Sequence, residues 1–307
     1  MTHKVICIGA ALVDELFYST SHIIKGTSNP AIMKRSAGGV MLNIARHLAL
    51  LNTPVQLITV LGNDPDGKWL KEDAERFGID MSEAEIANYS SGKYTAFINP
   101  DGTLYTAACY NPAEEILNIS FLEERRKNLS TATIILADTN LETASLKWLN
   151  DFCKEKNIML IIETVSVAKA KKISSIELDG LFMLTPNEDE LRSLSQKENA
   201  SEKIIKELLQ RGVKNIWLRK AEKGSVLYGD KKEIALHAAS VIIKDITGAG
   251  DAALAGWVAA FCHEFSGEDC LKMGHALAAE VIQINGAIAP HFSFGQLKEL
   301  VNKHYPE

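Results

Sequence analysis

The chain has 307 residues, of which 46% are apolar and 23% are charged, and its formal net charge is −6. This composition excludes a disordered chain and fits one α/β domain over residues 1–307. The acidic balance gives no general attraction to a polyanion, so we expect neither a nucleic-acid polymer nor a membrane as a partner. The five cysteines are widely spaced and form no Cys-x-x-Cys pair, which disfavours disulfides and structural zinc and favours a reducing, cytoplasmic location.

Short apolar strands alternate with helices from the start of the chain. We predict a strand at 5–8, a helix at 42–51, a strand at 55–60 and a helix at 67–77. After a middle section the alternation returns, with strands at 134–137, 158–162, 181–184 and 215–218 and helices at 144–156, 188–195 and 202–211. Repeated β-α units predict a three-layer α/β fold with a mostly parallel central sheet, which binds ligands at the carboxyl ends of its strands.

Two segments, 15–35 and 93–109, interrupt this alternation. The first is polar and contains Gly26 and Pro30, and the second places two short alternating strands around the turn at 99–102, which predicts a hairpin. Neither segment can bury a core of its own. We therefore interpret them together as a small β-lid, which covers a site in the same or a partner subunit and through which the protein forms a homodimer. Surface decoration is the alternative.

A turn of small residues precedes an apolar helix predicted at 252–261. Gly248, Ala249 and Gly250 let a phosphate approach unpaired backbone N–H groups, and the helix dipole favours negative charge at that end. Asp251 is expected in the first helical turn, where it could accept a proton from a hydroxyl aimed at the phosphorus. The alternative is that Asp251 or Thr247 only caps the helix, but a cap does not require a Gly-Ala-Gly turn.

The segment 245–251, Asp-Ile-Thr-Gly-Ala-Gly-Asp, resembles the second signature of the PfkB, or ribokinase-like, carbohydrate kinases. Segments 37–49 and 61–67 resemble the first signature of that family, and the order and spacing agree over nearly the whole chain. The resemblance implies a ribokinase-like fold and transfer of the γ-phosphate of ATP to a hydroxymethyl group of a sugar or nucleoside. It also implies that Asp251 is the catalytic base and that the small residues before it form the catalytic anion hole.

Polar residues near predicted strand and helix ends could hold a polyol. Asp14 follows the first strand, and Asn43 begins a helix shortly after Gly38 and Gly39. From the residues alone, Asp14 as a turn cap and Asn43 as a helix cap are equally good explanations. The resemblance to the PfkB kinases implies that these four residues bind the sugar.

Within the family, the chain resembles the pseudouridine kinases in segments 38–45, 94–104 and 165–170. The last segment follows a predicted strand, at the end where ligands bind, and it places Ser166 or Lys169 near a base or a phosphate. A solvated surface lysine is the alternative for Lys169. Ribose, fructose, adenosine and other nucleosides stay open as acceptors, because the lid determines that choice.

The motif Asn187-x-x-Glu190 follows a predicted strand and opens a helix. Its spacing puts both side chains on one face, where they could reach a hydrated Mg²⁺, which prefers oxygen ligands and keeps several waters. An N-terminal capping box explains the same spacing, and both interpretations can hold together. The resemblance implies that Asn187 positions the phosphates of ATP and that Glu190 serves Mg²⁺, in part through water.

The segment 220–224 resembles the nucleotide-binding turn of the family, which implies ATP contacts for Lys220 and Gly224. Two positions of this region depart from the family pattern, because Ala221 replaces an expected glycine and Arg219 stands where threonine is common. Positions 163–164 are a third departure, since they read Glu-Thr where the pseudouridine kinases would have Asp-Pro.

Two more segments belong to the predicted ATP site. Asn285 opens a turn that resembles the adenine side of the family's site, so the resemblance implies that Asn285 and Thr247 contact ATP. Asp245 and Thr247 also resemble a monovalent-cation loop found in some members. Activation by K⁺ is therefore a hypothesis.

Other classes of protein fit the sequence less well. The chain contains no Gly-x-x-x-x-Gly-Lys-Ser/Thr motif, which excludes a P-loop kinase, and the segment 9–11 is too weak for a dinucleotide fingerprint. A catalytically silent sugar- or nucleoside-binding regulator is the competing class, and an acid-rich oligomeric scaffold is a third. Asp251 with its glycine turn favours an enzyme, because a binder needs no base at the γ-phosphate and a scaffold leaves both glycine motifs unexplained.

Overall fold

The computed structural model describes residues 3–195, 200–229, 232–289 and 292–306, and it alternates strands with helices over most of that length. The strands are β1 (Val5–Ile8), β2 (Leu12–Ser19), β3 (Ala31–Gly38), β4 (Val55–Ile58), β5 (Val60–Gly62), β6 (Glu85–Ala87), β7 (Lys93–Ile98), β8 (Leu104–Tyr110), β9 (Ile134–Asp138), β10 (Met159–Glu163), β11 (Met183–Leu184), β12 (Asn215–Arg219), β13 (Ser225–Gly229) and β14 (Glu233–Leu236). The helices are α1 (Val40–Leu50), α2 (Pro65–Arg76), α3 (Ala113–Ile116), α4 (Ile119–Glu124), α5 (Arg126–Leu129), α6 (Thr143–Lys156), α7 (Val167–Ala170), α8 (Glu188–Ser193), α9 (Ser201–Gln210), α10 (Ala249–Cys262), α11 (Gly267–Val281) and α12 (Phe294–His304).

The larger sheet has eight strands in the order β14-β13-β12-β11-β10-β9-β1-β4. The strands from β12 to β4 in that order run parallel, and β13 and β14 pair antiparallel at one edge. Strands β1 and β9 are buried along their whole length, as expected for apolar parallel strands covered on both faces. The predicted, mostly parallel central sheet is confirmed. Because these strands are parallel, the residues that end β1, β9, β10, β11 and β12 lie side by side at the carboxyl ends of the strands, which we call the sheet edge.

Helices cover both faces of this sheet and divide the core into two apolar clusters. Val5 and Cys7 of β1 pack on one face with α1, α10, α11 and α12, and Ile6 and Ile8 pack on the other with α4, α6, α8 and α9. Alternate residues of a strand point to opposite faces, so one strand contributes to both clusters. Each such buried side chain stabilises the fold by about 1.5–3 kcal/mol. The three packed layers confirm the predicted α/β fold.

A second sheet has four strands in the order β3-β2-β7-β8. Strand β2 pairs antiparallel with β3 and parallel with β7, and a hairpin joins β7 to β8 with Gly102 N–H donating to Asn99 O at 2.9 Å. The two interrupting segments of the sequence therefore belong to one small second sheet, which we call the lid, and its role in covering a site stays a prediction. The lid begins earlier than expected because β2 starts at Leu12, so Asp14 lies on a lid strand and not in a loop after β1.

Several other boundaries differ from the sequence prediction, most by one or two residues, and two of the differences matter most. The strand predicted at 55–60 is divided at Thr59 into β4 and β5, and β5 pairs with β6 in a separate sheet. Helix α10 begins at Ala249, three positions before the predicted start, so the small residues of the turn already belong to its first turn. Within the described ranges, no helix combines the length and the apolar character that crossing a membrane requires.

Candidate active site

Helix α10 begins at a turn in which the Gly250 and Asp251 N–H groups have no backbone partner among the described residues, whereas Ala249 N donates to Ile246 O at 3.2 Å. Its N-cap Gly248 has a φ of 75°, in the left-handed region, and a Cβ at this position would lie 2.5 Å from the Cβ of Ala287. Glycine is the residue that meets both conditions. The first N–H groups of a helix have no partner inside the helix, and the helix dipole adds positive potential there. The turn formed by Gly248, Ala249 and Gly250 is thus suited to an anion.

Asp251 lies in the first turn of α10 and is hydrogen-bonded across the core to α1. The Asn43 side chain donates from Nδ2 to Asp251 Oδ2 at 2.9 Å. Burial raises the pKa of Asp251 to about 7, with Glu163 and Asp138 acting in the same direction and the Asn43 bond and Arg219 opposing them. A carboxylate of that basicity is suited to accept a proton near neutral pH.

Asp14 and the two glycines before α1 form one compact arrangement. A Cβ on Gly38 would overlap the Asp14 carboxylate. Gly39 is the N-cap of α1 with a φ of 109°, and a Cβ there would overlap the carbonyl oxygen of Ala10. Burial raises the pKa of Asp14 to about 6, although the Arg46 guanidinium lowers it. The glycines are therefore required for the lid strand and the start of α1 to meet.

Helix α1 connects the two predicted ends of the site. The Asn43 backbone N–H donates to Gly39 O at 2.9 Å, and the Asn43 side chain bonds to Asp251. A chain of direct contacts thus leads from Asp14 through the glycines and Asn43 to Asp251. The structure brings together the residues that the sequence predicted for the acceptor and the predicted base.

Lys169 lies near the end of β9, because it is bonded to Asn140, which follows that strand. Its Nζ donates to Glu114 Oε1 at 2.9 Å and also to Asn140 Oδ1, and 30% of its side chain is exposed. A freely solvated surface lysine, the alternative from the sequence, does not describe these contacts. Ser166 is the N-cap of α7, but its side chain makes no capping bond. Binding of a base or a phosphate by Ser166 and Lys169 stays a prediction.

Asn187 and Glu190 form a capping box at the start of α8. Asn187 Oδ1 accepts from Glu190 N at 2.9 Å, while Glu190 Oε2 accepts from Asn187 N at 2.9 Å and from Thr164 Oγ1 at 2.7 Å. The described residues contain no cluster of three metal-ligating side chains. These groups fit a Mg²⁺ held mainly by phosphates and water with one carboxylate nearby, which is how Mg²⁺ commonly binds beside a nucleotide.

The loop before α10 is tied to the turn that contains Asn285. Asp245 accepts from Thr247 N with Oδ1 and from Gly286 N with Oδ2, both at 2.9 Å. Asn285 and Thr247 are exposed beside this contact. The arrangement places two of the residues predicted for ATP, Thr247 and Asn285, near the start of α10. Their contacts with ATP, and K⁺ binding by Asp245 and Thr247, stay predictions.

The family model of the pfkB carbohydrate kinases matches residues 2–292 of this sequence. The chain belongs to the pfkB family of carbohydrate kinases. It is 31% identical over 262 residues to the uncharacterized sugar kinase YeiI of Escherichia coli (strain K12). This match covers 83% of this chain and 71% of that protein. It is 24% identical over 305 residues to the pseudouridine kinase of the same organism, which covers 97% of this chain and 96% of that protein.

The fold is that of the ribokinases. The solved structure of Arabidopsis thaliana ribokinase complexed with ribose and ATP matches with a TM-score of 0.86 at 22% identity and covers 98% of this chain and 99% of that chain. The family and the fold together make this protein a phosphotransferase of the sugar or nucleoside kinase type.

The turn after β12 shows how this pfkB kinase accommodates one departure from the family pattern. Lys220 N donates to Gly224 O at 2.8 Å, which closes the turn. Ala221, which replaces an expected glycine, has a φ of 49° and so keeps the left-handed conformation that glycine adopts most readily. The backbone path of the turn therefore tolerates the substitution at a cost in strain.

Asp138 is a candidate site residue that the sequence prediction missed. It ends β9 between β1 and β10, on the edge where the other candidate residues lie. Its side chain is fully buried, and Oδ1 accepts from Asn140 N at 2.9 Å, whereas Oδ2 has no hydrogen-bond partner among the described residues. Burial raises its pKa to about 6. A buried acceptor without a partner indicates a ligand, and the signal in the sequence was an acid closing the apolar run 134–137.

Proposed function

We propose that this kinase phosphorylates the hydroxymethyl group of a nucleoside, and that the nucleoside is pseudouridine, which gives pseudouridine 5′-phosphate. The bond between Asn43 and Asp251 at the open start of α10 carries the proposal, because it joins the acceptor end of the site to the phosphate end. Pseudouridine is supported by the resemblance at 165–170 and by the 24% identity to the Escherichia coli pseudouridine kinase. Another sugar or nucleoside is the alternative acceptor.

The proposed acceptor site lies between the lid and the sheet edge. Asp14, the backbone at Gly38 and Gly39, and the Asn43 amide bind the ribose hydroxyl groups. They direct the hydroxymethyl oxygen at the γ-phosphorus and place its proton beside Asp251. The aligned geometry replaces a bimolecular encounter by a step within one complex, which is a large part of phosphoryl-transfer catalysis.

In the transfer step, Asp251 accepts the proton of the hydroxymethyl group while the oxygen forms a bond to the γ-phosphorus. The bond between that phosphorus and the bridging oxygen of ADP breaks, so the products are a phosphomonoester, ADP and a protonated Asp251. The N–H groups of Gly248 and Gly250 donate to the transferring group and offset its charge, while the Ala249 N–H stays bonded to Ile246 O within the turn. The pKa of Asp251, raised to about 7 by burial, suits a base that must be regenerated near neutral pH.

The nucleotide side of the proposal uses the turns beside α10. Asn187, Lys220, Gly224, Thr247 and Asn285 contact ATP. Glu190 would hold Mg²⁺ in part through water, and the ion would supply neutralisation of the phosphate charge. We further propose that K⁺ bound by the loop of Asp245 and Thr247 activates the enzyme.

A polar cluster beyond Asp138 supports an acceptor that carries a base. Lys169 and Asn140 are bonded to each other there, and Glu114 accepts from the lysine at 2.9 Å. A uracil ring carries both N–H and C=O groups on its edge, so it can exchange hydrogen bonds with such a mixed cluster. A free pentose carries only a hydroxyl group at the position where the base is attached.

The proposal is tested by an ATP-consumption screen over pseudouridine, uridine, adenosine, ribose and fructose with Mg²⁺ present. We expect the highest kcat/KM for pseudouridine, and uridine is the matched control because it differs in the atom that joins base to ribose. A preference for ribose or fructose would assign a sugar as the acceptor. If no compound is phosphorylated, a silent regulator becomes the better explanation.

We also propose that the protein is a cytoplasmic homodimer formed through the lid. Phe17 stacks on Phe97 with ring centroids 5.4 Å apart, on the face of β2 opposite to Asp14. Met33 and Phe97 are 53% and 43% exposed on this sheet, and Phe17, Phe97 and Ile24 line part of an open cavity of about 570 Å³. An exposed apolar face of this kind favours association.

Light scattering tests the dimer. We expect twice the chain mass of 33.7 kDa for the wild type and the mass of one chain for Phe97→Lys. A single-chain mass for the wild type at micromolar concentration would contradict the proposal.

A further inference from the structure

Two departures from the family pattern, Glu163 and Arg219, bind each other in the structure. Arg219 Nη2 donates to Glu163 Oε1 at 2.5 Å, although the two residues are 56 positions apart. Glu163 ends β10 and Arg219 ends β12, and their side chains are 5% and 17% exposed. A pair of charges this close and this little exposed is stable only if each compensates the other. The two departures are therefore one feature.

Strand β11, which lies between them, holds this pair in place. Thr185, which follows β11, donates from Oγ1 to Glu163 Oε2 at 2.6 Å and accepts from Arg219 Nη2 with its carbonyl oxygen. The Arg219 backbone N–H donates to Pro186 O at 2.9 Å. The guanidinium is thus held by a carboxylate at the end of β10 and by a carbonyl group just after β11. These hydrogen bonds determine where the guanidinium points.

That direction is toward the anion-binding turn at the start of α10. A Cβ on Gly250 would overlap Arg219 Nη1, so this nitrogen lies against the glycine of the turn. Nε of Arg219 is buried without a hydrogen-bond partner among the described residues, and no bond from Nη1 occurs there either. One nitrogen of the fork makes the bonds to Glu163 and Thr185. The other faces the place where we propose the γ-phosphate to bind.

A purely structural ion pair is the alternative, and the geometry disfavours it. Arginine frequently pairs with a carboxylate through two parallel N–H groups, one from each of two nitrogens. Here Glu163 divides its two oxygens between Arg219 and Thr185, and Arg219 contacts it through one nitrogen. Although burial lowers the pKa of Arg219, the carboxylates of Glu163, Glu190 and Asp251 raise it on balance. The guanidinium is charged and has donors to spare.

We propose that Arg219 is a phosphate-binding residue of this kinase, with Nη1 donating to the γ-phosphate at the turn of Gly250 and Glu163 acting as the positioning residue that holds the guanidinium. This inference rests on the proposed function, because it requires the γ-phosphate at α10. In chemical terms, Arg219 supplies a fixed positive charge where the triphosphate differs from the diphosphate. It therefore gives the site a preference for ATP over ADP.

The test measures nucleotide binding without any acceptor. Kd values for ADP and for the β,γ-imido analogue of ATP are measured with Mg²⁺ by titration calorimetry for the wild type and for Arg219→Met. We expect the variant to lose about 10- to 100-fold in affinity for the analogue relative to ADP, the usual effect of a lost hydrogen bond between charged groups. A structural role would weaken both ligands alike. An unchanged ratio of the two Kd values would overturn the inference.

Two further variants keep the test informative, because Arg219→Met leaves the buried Glu163 without its partner. Glu163→Gln combined with Arg219→Met removes both charges, and we expect this variant to fold and to lose the same preference. Glu163→Gln alone retains the guanidinium, so most of the preference should remain, and a loss as large as that of Arg219→Met would overturn the assignment to Arg219. A wild type that binds neither nucleotide would overturn the proposed function and this inference with it.

Discussion

In the Asp251→Asn variant we expect kcat to fall at least about 100-fold, the loss usual for a missing general base. Asparagine preserves the shape of the side chain, but its amide does not accept the proton of the acceptor hydroxyl. A factor of about 100 corresponds to about 2.7 kcal/mol of transition-state stabilisation. Nucleotide binding should persist, because the N–H groups at the start of α10 are unchanged. The measurement is steady-state phosphorylation at saturating ATP and acceptor, with the Kd for ADP measured separately.

The pH dependence reports on the same carboxyl group. Because burial raises the pKa of Asp251 to about 7, the wild-type carboxylate gains a proton as the pH falls through 7, and kcat at saturating acceptor should fall with it. Residual activity of the variant should lack this acid limb. The free energy of unfolding depends on pH in the opposite direction to activity. A pKa raised on folding means that stability is lost as the pH rises toward 7. The variant should therefore have a higher Tm than the wild type at pH 8, and the difference should shrink toward pH 5.

Asp151→Asn is the matched control for the removal of one carboxylate. Asp151 lies on the exposed face of α6, where it pairs with Lys147 at 2.8 Å, and we expect wild-type kcat from this variant. Near-normal turnover by Asp251→Asn would contradict the role of Asp251 as the base. A loss of ADP binding in that variant would instead indicate that the substitution disturbs the start of α10.

Sequence reasoning succeeded where the physical signal is local. A continuous apolar run predicted the strand at 5–8, and β1 is Val5–Ile8. The small residues before an apolar helix predicted the open turn of α10, because left-handed backbone and close approach both require glycine at Gly248. The Asn-x-x-Glu spacing predicted the capping box at α8, which is confirmed. Each of these features is determined by residues within one or two turns of chain.

The contacts that complete the site depend on which strands the sheet places side by side. The Arg219 and Glu163 pair joins β10 to β12 across β11, and no local pattern in either segment indicates the other. Lys169 likewise resembled a surface lysine until the fold placed Asn140 and Glu114 beside it. Asp138 was missed because an acid at the end of an apolar strand looks like the first residue of a loop. Long-range pairing, which the sequence alone does not state, decides what each of these charges contacts.

Replacing Asp14 tests the acceptor end of the site. We expect Asp14→Asn to raise the KM of the acceptor about 10- to 100-fold, because hydrogen bonds from ribose hydroxyls to a charged carboxylate are stronger than those to an amide. Burial raises the pKa of Asp14 to about 6, so the measurement is made at pH 8, where the wild-type carboxylate is charged. The KM of ATP and the kcat at saturating acceptor should stay within a few-fold of wild type, since Asp14 contacts neither the phosphates nor the reacting proton in the proposed complex.

Gly38→Ala tests the same position without removing the charge. Its Cβ would overlap the Asp14 carboxylate, which must then move away from the start of α1, so the acceptor KM should rise as in Asp14→Asn. Gly295→Ala is the matched control, because the nearest atom to its Cβ would be Ser293 Oγ at 3.9 Å, and its acceptor KM should equal that of the wild type. If Asp14→Asn raised the KM of ATP and left that of the acceptor unchanged, the lid would cover the nucleotide. ATP and the acceptor would then lie on the opposite sides of Asp251 from those proposed.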